Sequence, residues 1–170
     1  IELDPKFAWA YNNRGYAYSL QKKYPEAEKD YKKAIELSPE TAMFRRNFGD
    51  LLADMKRYDE AVSSLNKAIE INPKFAWAHN NLGNVYRSQK KYTDAIVAFT
   101  KALEIDPKYS AVHYNMGLIY LDLKNNEDAI ASFTKAIENN EKYVNAYKKR
   151  GDTYTNLKKD NEALADFQKL

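Results

Sequence analysis

The chain has 170 residues, and its 44% hydrophobic and 14% aromatic content is typical of a folded domain rather than a disordered one. Its 27 basic and 24 acidic residues are interspersed and leave a net charge of +3, which gives no support for an electrostatic nucleic-acid binder. The absence of cysteine excludes disulfide and thiolate chemistry, and no apolar stretch approaches the roughly 20 residues that cross a bilayer.

A period of 34 residues organises the chain. The glycines set it, at Gly15, Gly49, Gly83, Gly117 and Gly151. Four of the prolines keep it, at Pro5, Pro39, Pro73 and Pro107. This spacing predicts a single array of stacked supersecondary repeats. We place them at residues 8–41, 42–75, 76–109, 110–143 and 144–170, after residues 1–7 as the tail of a preceding repeat. Because the last repeat stops where that tail starts, we expect a fragment of a longer array or of a larger protein.

Each repeat predicts two short amphipathic helices. The first helix of the first repeat has a stripe at i, i+3, i+4 and i+7, formed by Tyr11, Arg14, Gly15 and Tyr18. The second has a stripe at i, i+4 and i+7, formed by Ala27, Tyr31 and Ala34. The small residues let the helices approach closely, and bulky residues fill the space between repeats. The bulky column of the second helices is Tyr31, Leu65, Phe99, Phe133 and Phe167.

This pattern resembles the tetratricopeptide repeat family over the whole chain. The resemblance implies an all-α, right-handed solenoid of about five helix-turn-helix repeats with a groove that binds extended peptides or partner helices. The chain departs from the pattern in two columns. The family's tryptophan column holds Tyr11, Arg45, His79, His113 and Tyr147. Arg14 and Arg150 stand where the family has leucine. We expect these arginines either to loosen the packing or to direct their charged heads to water.

One face of each first helix lies opposite the core stripe, and the resemblance implies that it lines the groove. The candidate peptide-binding residues are Trp9, Asn12, Asn13, Tyr16, Arg46, Asn47, Trp77, Asn80, Asn81, Asn84, Tyr114, Asn115, Lys148 and Lys149. An asparagine offers a donor and an acceptor to a peptide group, so Asn13, Asn47, Asn81 and Asn115 predict a ladder that reads a backbone. It resembles the asparagine ladder of O-linked N-acetylglucosamine transferases. Two alternatives stay open: the asparagines serve the fold, and the tryptophans pack against the adjoining repeat.

The charged and histidine positions are less informative. Asn80, Asn84, Asn115, Asn145 and Lys149 match only loosely the carboxylate clamp that holds chaperone tails, so we expect instead that Lys148 and Lys149 attract an acidic group of the ligand. His79 and His113 lack neighbouring carboxylates or cysteines and are interpreted as structural. The basic pairs that end the first helices, such as Lys22 and Lys23, are interpreted as a solvated edge rather than a surface for anionic lipid or nucleic acid.

The sequence contains no Gly-rich phosphate loop, nucleophile and base pair, or metal cluster. We therefore expect no catalysis, no cofactor and no metal. The predicted function is a protein-protein interaction scaffold whose partner is a protein or peptide, with nucleic acid and membrane not expected as partners. Two alternatives are a structural module that self-associates through the open ends of the array, and a substrate-targeting arm of a larger enzyme.

Overall fold

The computed structural model describes Asp4 and residues 6–170, and all of the regular secondary structure there is α-helical. The helices are α1 Ala8–Leu20, α2 Tyr24–Leu37, α3 Ala42–Asp54, α4 Tyr58–Ile71, α5 Ala76–Ser88, α6 Tyr92–Ile105, α7 Ser110–Asp122, α8 Asn126–Asn139, α9 Val144–Asn156 and α10 Asp160–Phe167. They follow one another as helix-turn-helix pairs, so the predicted fold class is confirmed. Pro5 and most of the predicted tail at residues 1–7 lie outside the described residues. None of the helices described is both long and apolar enough to cross a membrane.

The helices form two compact units, which divide between Lys101 and Ala102. In the N-terminal unit α1 packs on α2, α3 packs on α4, and α3 also lies beside α1 and α5. In the C-terminal unit α7 packs on α8, α8 on α9, and α9 on α10. Each helix is too short to be stable alone, so packing of its apolar face supplies most of its stability.

The core is built from the predicted small and bulky columns. In the N-terminal unit Ala27, Tyr31 and Leu51 form one buried cluster, and Leu52, Leu65 and Leu82 belong to another. Glycine lets the paired helices approach closely, and the contact is especially tight at Gly83. A Cβ added at Gly83 would lie 2.5 Å from Cε1 of the buried Phe99 ring, well inside the usual carbon contact distance of about 3.5 Å.

A left-handed lysine forms the turn inside every repeat. These residues are Lys22, Lys56, Lys90, Lys124 and Lys158, with φ between 58° and 60°. In the first repeat the Lys22 N–H donates to the Ser19 carbonyl at 2.8 Å, and the Lys23 N–H donates to the Tyr18 carbonyl at 2.9 Å. These two bonds close a Schellman motif, which satisfies the last carbonyls of α1. The first lysine of each basic pair therefore ends a helix through its backbone, at a position that usually favours glycine.

The two arginines of the core stripe form ion pairs inside their own repeats. Arg14 donates to both carboxylate oxygens of Asp30 at 2.6 and 2.8 Å. Arg150 does the same with Asp166 at 2.9 and 2.7 Å, and its third donor reaches the Thr134 hydroxyl at 2.8 Å. We expected these arginines to loosen the packing or to direct their charged heads to water, and that expectation did not include the two aspartates. The paired guanidinium replaces the apolar contact, and the adjacent carboxylate raises the pKa of Arg150.

Candidate functional site

The inner helices α1, α3 and α5 of the N-terminal unit carry a continuous surface of aromatic and polar side chains. We call the surface formed by Trp9, Asn47, Asp50, Trp77 and Asn81 the inner face. Trp9 and Trp77 are 46% and 49% exposed, which is unusual for the largest apolar side chain. The amides and Asp50 lie farther along the helices, so the inner face has an aromatic edge and a polar middle.

Hydrogen bonds between side chains connect α1 to α3 across the polar middle. The Asn12 amide donates to Asn13 Oδ1 at 3.1 Å, and Asn47 Nδ2 of α3 donates to Asn12 Oδ1 at 2.9 Å. On α3, Arg46 Nη1 donates to Asn47 Oδ1 at 2.9 Å. The asparagine column therefore already holds neighbouring inner helices together before any ligand is bound.

The same chain of hydrogen bonds continues from α3 to α5 through a carboxylate. Arg46 Nη2 lies 3.2 Å from Asp50 Oδ2, and the Asn81 amide donates to the other oxygen of Asp50. Asn80 Nδ2 in turn donates to Asn81 Oδ1 at 3.2 Å. Asp50 was not among the candidate residues, although its position one turn after Asn47 is the signal that places both side chains on one face.

The amides differ in exposure from the sequence-based expectation. Asn12, Asn80 and Asn81 are buried, Asn47 is half-buried and Asn13 is exposed. Helical periodicity places Asn12 and Asn80 opposite the core stripe, but it does not include contacts between inner helices, such as the bond between Asn12 and Asn47 of α3 and the bond between Asn81 and Asp50 of α3. The polar side chains that a ligand can reach directly on and beside the inner face are therefore Asn13, Asn47 and Asp50, and the aromatic edge is accessible as well.

Asp50 is the carboxylate of the inner face, and its pKa is raised. Burial by the surrounding protein raises the pKa of Asp50 to about 6, Arg46 opposes the shift and Asp54 adds to it. The side chain nevertheless keeps 43% of its exposure, against 24% for Arg46. The carboxylate is thus the more accessible partner of this ion pair. Burial also raises the pKa of Tyr31, and Asp50 adds to that shift.

The two tryptophans have different neighbours. The Trp9 ring meets the Phe44 ring of the next repeat edge to face, with centroids 4.8 Å apart. The ring centroids of Trp77 and Phe75 lie 6.3 Å apart, and the guanidinium carbon of Arg46 lies 5.7 Å from the centroid of the Trp77 ring. Each tryptophan packs with one side against protein and leaves the other side to solvent. Tyr16 and Asn84 are also candidates on these helices; Tyr16 is exposed and Asn84 is half-buried.

The remaining candidates lie in the C-terminal unit. Tyr114 packs against Phe133 and Tyr143, at centroid distances of 5.6 and 5.2 Å, so its ring contributes to the core of this unit. Asn115 and Lys149 are half-buried and Lys148 is exposed. Burial raises the pKa of Tyr143, and Tyr114 adds to the shift. The predicted cationic end of the groove is accordingly available mainly at Lys148.

The two histidines have backbone partners. His79 Nε2 lies 3.2 Å from the Pro73 carbonyl oxygen, and His113 Nε2 lies 3.1 Å from the Pro107 carbonyl oxygen. Each imidazole thus ties an inner helix to the turn that precedes it, which is a structural role. Across Asp4 and residues 6–170, no group of three or more histidine or acidic side chains is arranged to hold a metal.

Comparison with known proteins identifies the repeat. The sequence profile described as tetratricopeptide repeat matches residues 8–40, 76–109 and 110–143, and a profile described as TPR repeat matches residues 49–87. No curated protein matches the sequence significantly.

Solved structures share the fold at low sequence identity. The structure of MamA is 24% identical, with a TM-score of 0.76 and 91% of each chain covered. PilF of Pseudomonas aeruginosa is 22% identical, with a TM-score of 0.87 and 95% of this chain and 74% of that chain covered. YrrB, described as a TPR protein with an unusual peptide-binding site, is 21% identical, with a TM-score of 0.66 and coverage of 99% and 87%.

Proposed function

The chain belongs to the tetratricopeptide repeat family, and we propose that it is a non-catalytic scaffold that binds an extended peptide segment of a partner across the inner face. The family's fold supports a role in protein interaction. YrrB has the same fold and is described as having a peptide-binding site. The choice of the inner face and of an extended ligand is our own inference from the side chains there.

The observation that carries the proposal is that the two amides a ligand can reach, Asn13 and Asn47, have hydrogen-bonding capacity left over. A side-chain amide has two N–H donors and two acceptor lone pairs. Asn47 uses one donor with Asn12 and accepts one bond from Arg46. The remaining donor and lone pair match the C=O and N–H of a peptide group. The intramolecular bonds also hold the amide in place, which lowers the entropy lost when a ligand binds.

Geometry sets the length of the ligand. Neighbouring inner helices lie about 8 to 10 Å apart, and an extended strand rises about 3.3 Å per residue. The three inner helices of the N-terminal unit would therefore span roughly six ligand residues, with the contacts of Asn13 and Asn47 about three residues apart.

The aromatic edge supplies the rest of the affinity. Each backbone hydrogen bond contributes only about 0.5 to 1.5 kcal/mol net, while ordering each ligand residue costs about 1 to 2 kcal/mol. Burial of Trp9, Tyr16 and Trp77 by apolar ligand side chains offsets that cost, as aromatic residues do at other interfaces. We expect micromolar dissociation constants, which correspond to a binding free energy of about −8 kcal/mol.

The test is a screen of the purified chain against a library of random peptides, followed by variants of the best binder's site. Replacing both Asn13 and Asn47 by alanine removes two amide contacts and should weaken binding by roughly 5- to 100-fold. Trp77→Ala should weaken it similarly. Matched controls are Asn66→Ala and Val97→Ala, which remove an exposed amide and an exposed apolar group from the outer helices α4 and α6.

Circular dichroism must show that the variants keep their helical content. Equal binding by the inner-face variants and the outer-helix controls would contradict the proposal. The proposal would also be contradicted if the chain captured no peptide and its average molecular mass increased with protein concentration. That result would favour self-assembly.

A further inference from the structure

Arg46 lies across the polar middle of the inner face and is surrounded by groups that recognise a guanidinium. Its Nη1 donates to Asn47 Oδ1 at 2.9 Å, its Nη2 lies 3.2 Å from Asp50 Oδ2, and its Cζ lies 5.7 Å from the Trp77 ring centroid. A neutral acceptor, a carboxylate and an aromatic face thus surround one cation. We call Asn47, Asp50 and Trp77 the guanidinium site.

Arg46 fits this site less well than the other paired arginines fit theirs. Arg14 and Arg150 each make two short bonds to one carboxylate, at 2.6 to 2.9 Å. The contact of Arg46 with Asp50 is 3.2 Å, beyond the range of about 2.7 to 2.9 Å for charge-assisted bonds. In addition, Arg46 Nε is buried and has no hydrogen-bond partner among the described residues, which leaves a desolvated donor unsatisfied.

The charge left for a ligand at this site is negative. Asp50 retains more exposure than Arg46, 43% against 24%, and Asp54 is exposed one turn farther along α3. The Arg46 guanidinium pairs with Asp50, and Asp54 lies close enough to Asp50 to add to its raised pKa. Two carboxylates thus stand against one guanidinium at this site. A cationic ligand group complements this arrangement, and an acidic one meets repulsion from the accessible carboxylates.

Building on the function proposed above, we infer that the inner face selects peptides that carry an arginine, whose guanidinium takes the place of Arg46 between Trp77, Asn47 and Asp50. Arg46 fills the site when no ligand is bound. Arginine suits the site better than lysine, because its planar fork stacks on an indole while donating to two separate acceptors. A lysine ammonium would satisfy the carboxylate but not the ring and the amide together.

Arg46 is consequently an internal competitor. An arriving arginine must displace it, so the displaced side chain has to turn toward solvent before the ligand gains its contacts. Removing the Arg46 side chain should strengthen binding of arginine and leave binding of uncharged analogues unchanged. This behaviour separates an occupied guanidinium site from an ordinary surface ion pair.

The test uses the full chain with Trp9→Phe, which leaves Trp77 as the remaining tryptophan, and follows its fluorescence. The probes are N-acetylarginine amide, the corresponding lysine compound and the uncharged citrulline compound, which keeps the shape of arginine. With Arg46→Ala, we expect arginine to bind at least tenfold more tightly than citrulline or lysine, and at least tenfold more tightly than it binds with Arg46 present. Adding Asp50→Asn should remove the preference over citrulline.

A second measurement does not depend on the Arg46→Ala variant. Two copies of a library-selected peptide, one with arginine and one with citrulline at the same position, are compared on the unaltered chain and on Asp50→Asn. We expect the arginine peptide to bind more tightly only where Asp50 is present. Equal binding of both peptides, or an arginine preference that survives Asp50→Asn, would overturn the inference. If peptides bind the inner face without this preference, the inference fails while the proposed function stands.

Discussion

Replacing Gly83 by alanine tests the close packing between paired helices. The new Cβ would lie 2.5, 2.6 and 2.9 Å from three carbons of the Phe99 ring, and the ring is fully buried. Overpacking of this kind costs about 1 to 3 kcal/mol, and the rigid, enclosed ring favours the upper end. Alanine regains about 1 kcal/mol of helix propensity. The variant should therefore lose about 2 kcal/mol of unfolding free energy.

Gly15→Ala is the matched control, because it changes the same position of another repeat in the same unit. There the new Cβ would lie 3.2 Å from the Tyr31 ring, so a shift of a few tenths of an ångström suffices. The propensity gain of about 1 kcal/mol then roughly cancels the strain. Urea unfolding followed by circular dichroism measures both variants. In the background of Phe99→Ala, the cost of Gly83→Ala should disappear. Equal unfolding midpoints for the two glycine variants, or the same cost in both backgrounds, would refute the packing argument.

Three further predictions follow from particular contacts. Lys90→Gly relieves a left-handed residue and should stabilise the N-terminal unit by about 0.5 to 1 kcal/mol in thermal unfolding, while Lys91→Gly, one residue on, should not. Asp166→Asn should cost about 3 kcal/mol and Asp30→Asn about 1 kcal/mol in urea unfolding, because the Arg150 side chain is 16% exposed and that of Arg14 is 45% exposed; equal costs would contradict this reasoning. The pKa of Asp50 is raised in the native state from its ordinary value of 3.8 to about 6, so the native state binds this proton more tightly than the unfolded chain does. The stability that this proton contributes should therefore be lost as the pH rises through about 6. Comparing the pH dependence of unfolding with that of Asp50→Asn separates the contribution of Asp50 from those of Arg46, Asp54, Tyr16 and Tyr31. A carboxyl resonance of Asp50 that titrates near its ordinary pKa would contradict the shift.

The sequence predicted the fold well because the repeat supplies the same information five times. The position of Gly83 is glycine in each repeat and that of Phe99 is always a bulky residue, so the small and bulky columns identify the contact between paired helices without knowledge of the structure. The Arg14 and Asp30 pair could also have been found, since Arg150 and Asp166 have the same separation of 16 residues. That signal needs a comparison between repeats rather than within one helix.

The inner face was predicted less completely, because its contacts join residues of different repeats. Helical periodicity places Asn12 and Asn47 on similar faces but does not show that the two side chains bond to each other. Likewise, Arg46 was expected to point to a ligand, whereas it bonds to Asn47 and lies over Trp77. The left-handed conformation of Lys90 depends on how the two helices of the repeat are joined, which the amino acid itself does not indicate.

The most direct test of the proposed function is to map a bound peptide by nuclear magnetic resonance. The chain is labelled with nitrogen-15, and the side-chain amides of Asn13 and Asn47 and the indoles of Trp9 and Trp77 are followed as a library-selected peptide is added. The proposal predicts that these resonances shift together and saturate at micromolar peptide, while the Asn66 amide of α4 does not move. Shifts confined to the outer helices α2, α4 and α6, with the inner-face resonances unchanged, would contradict it.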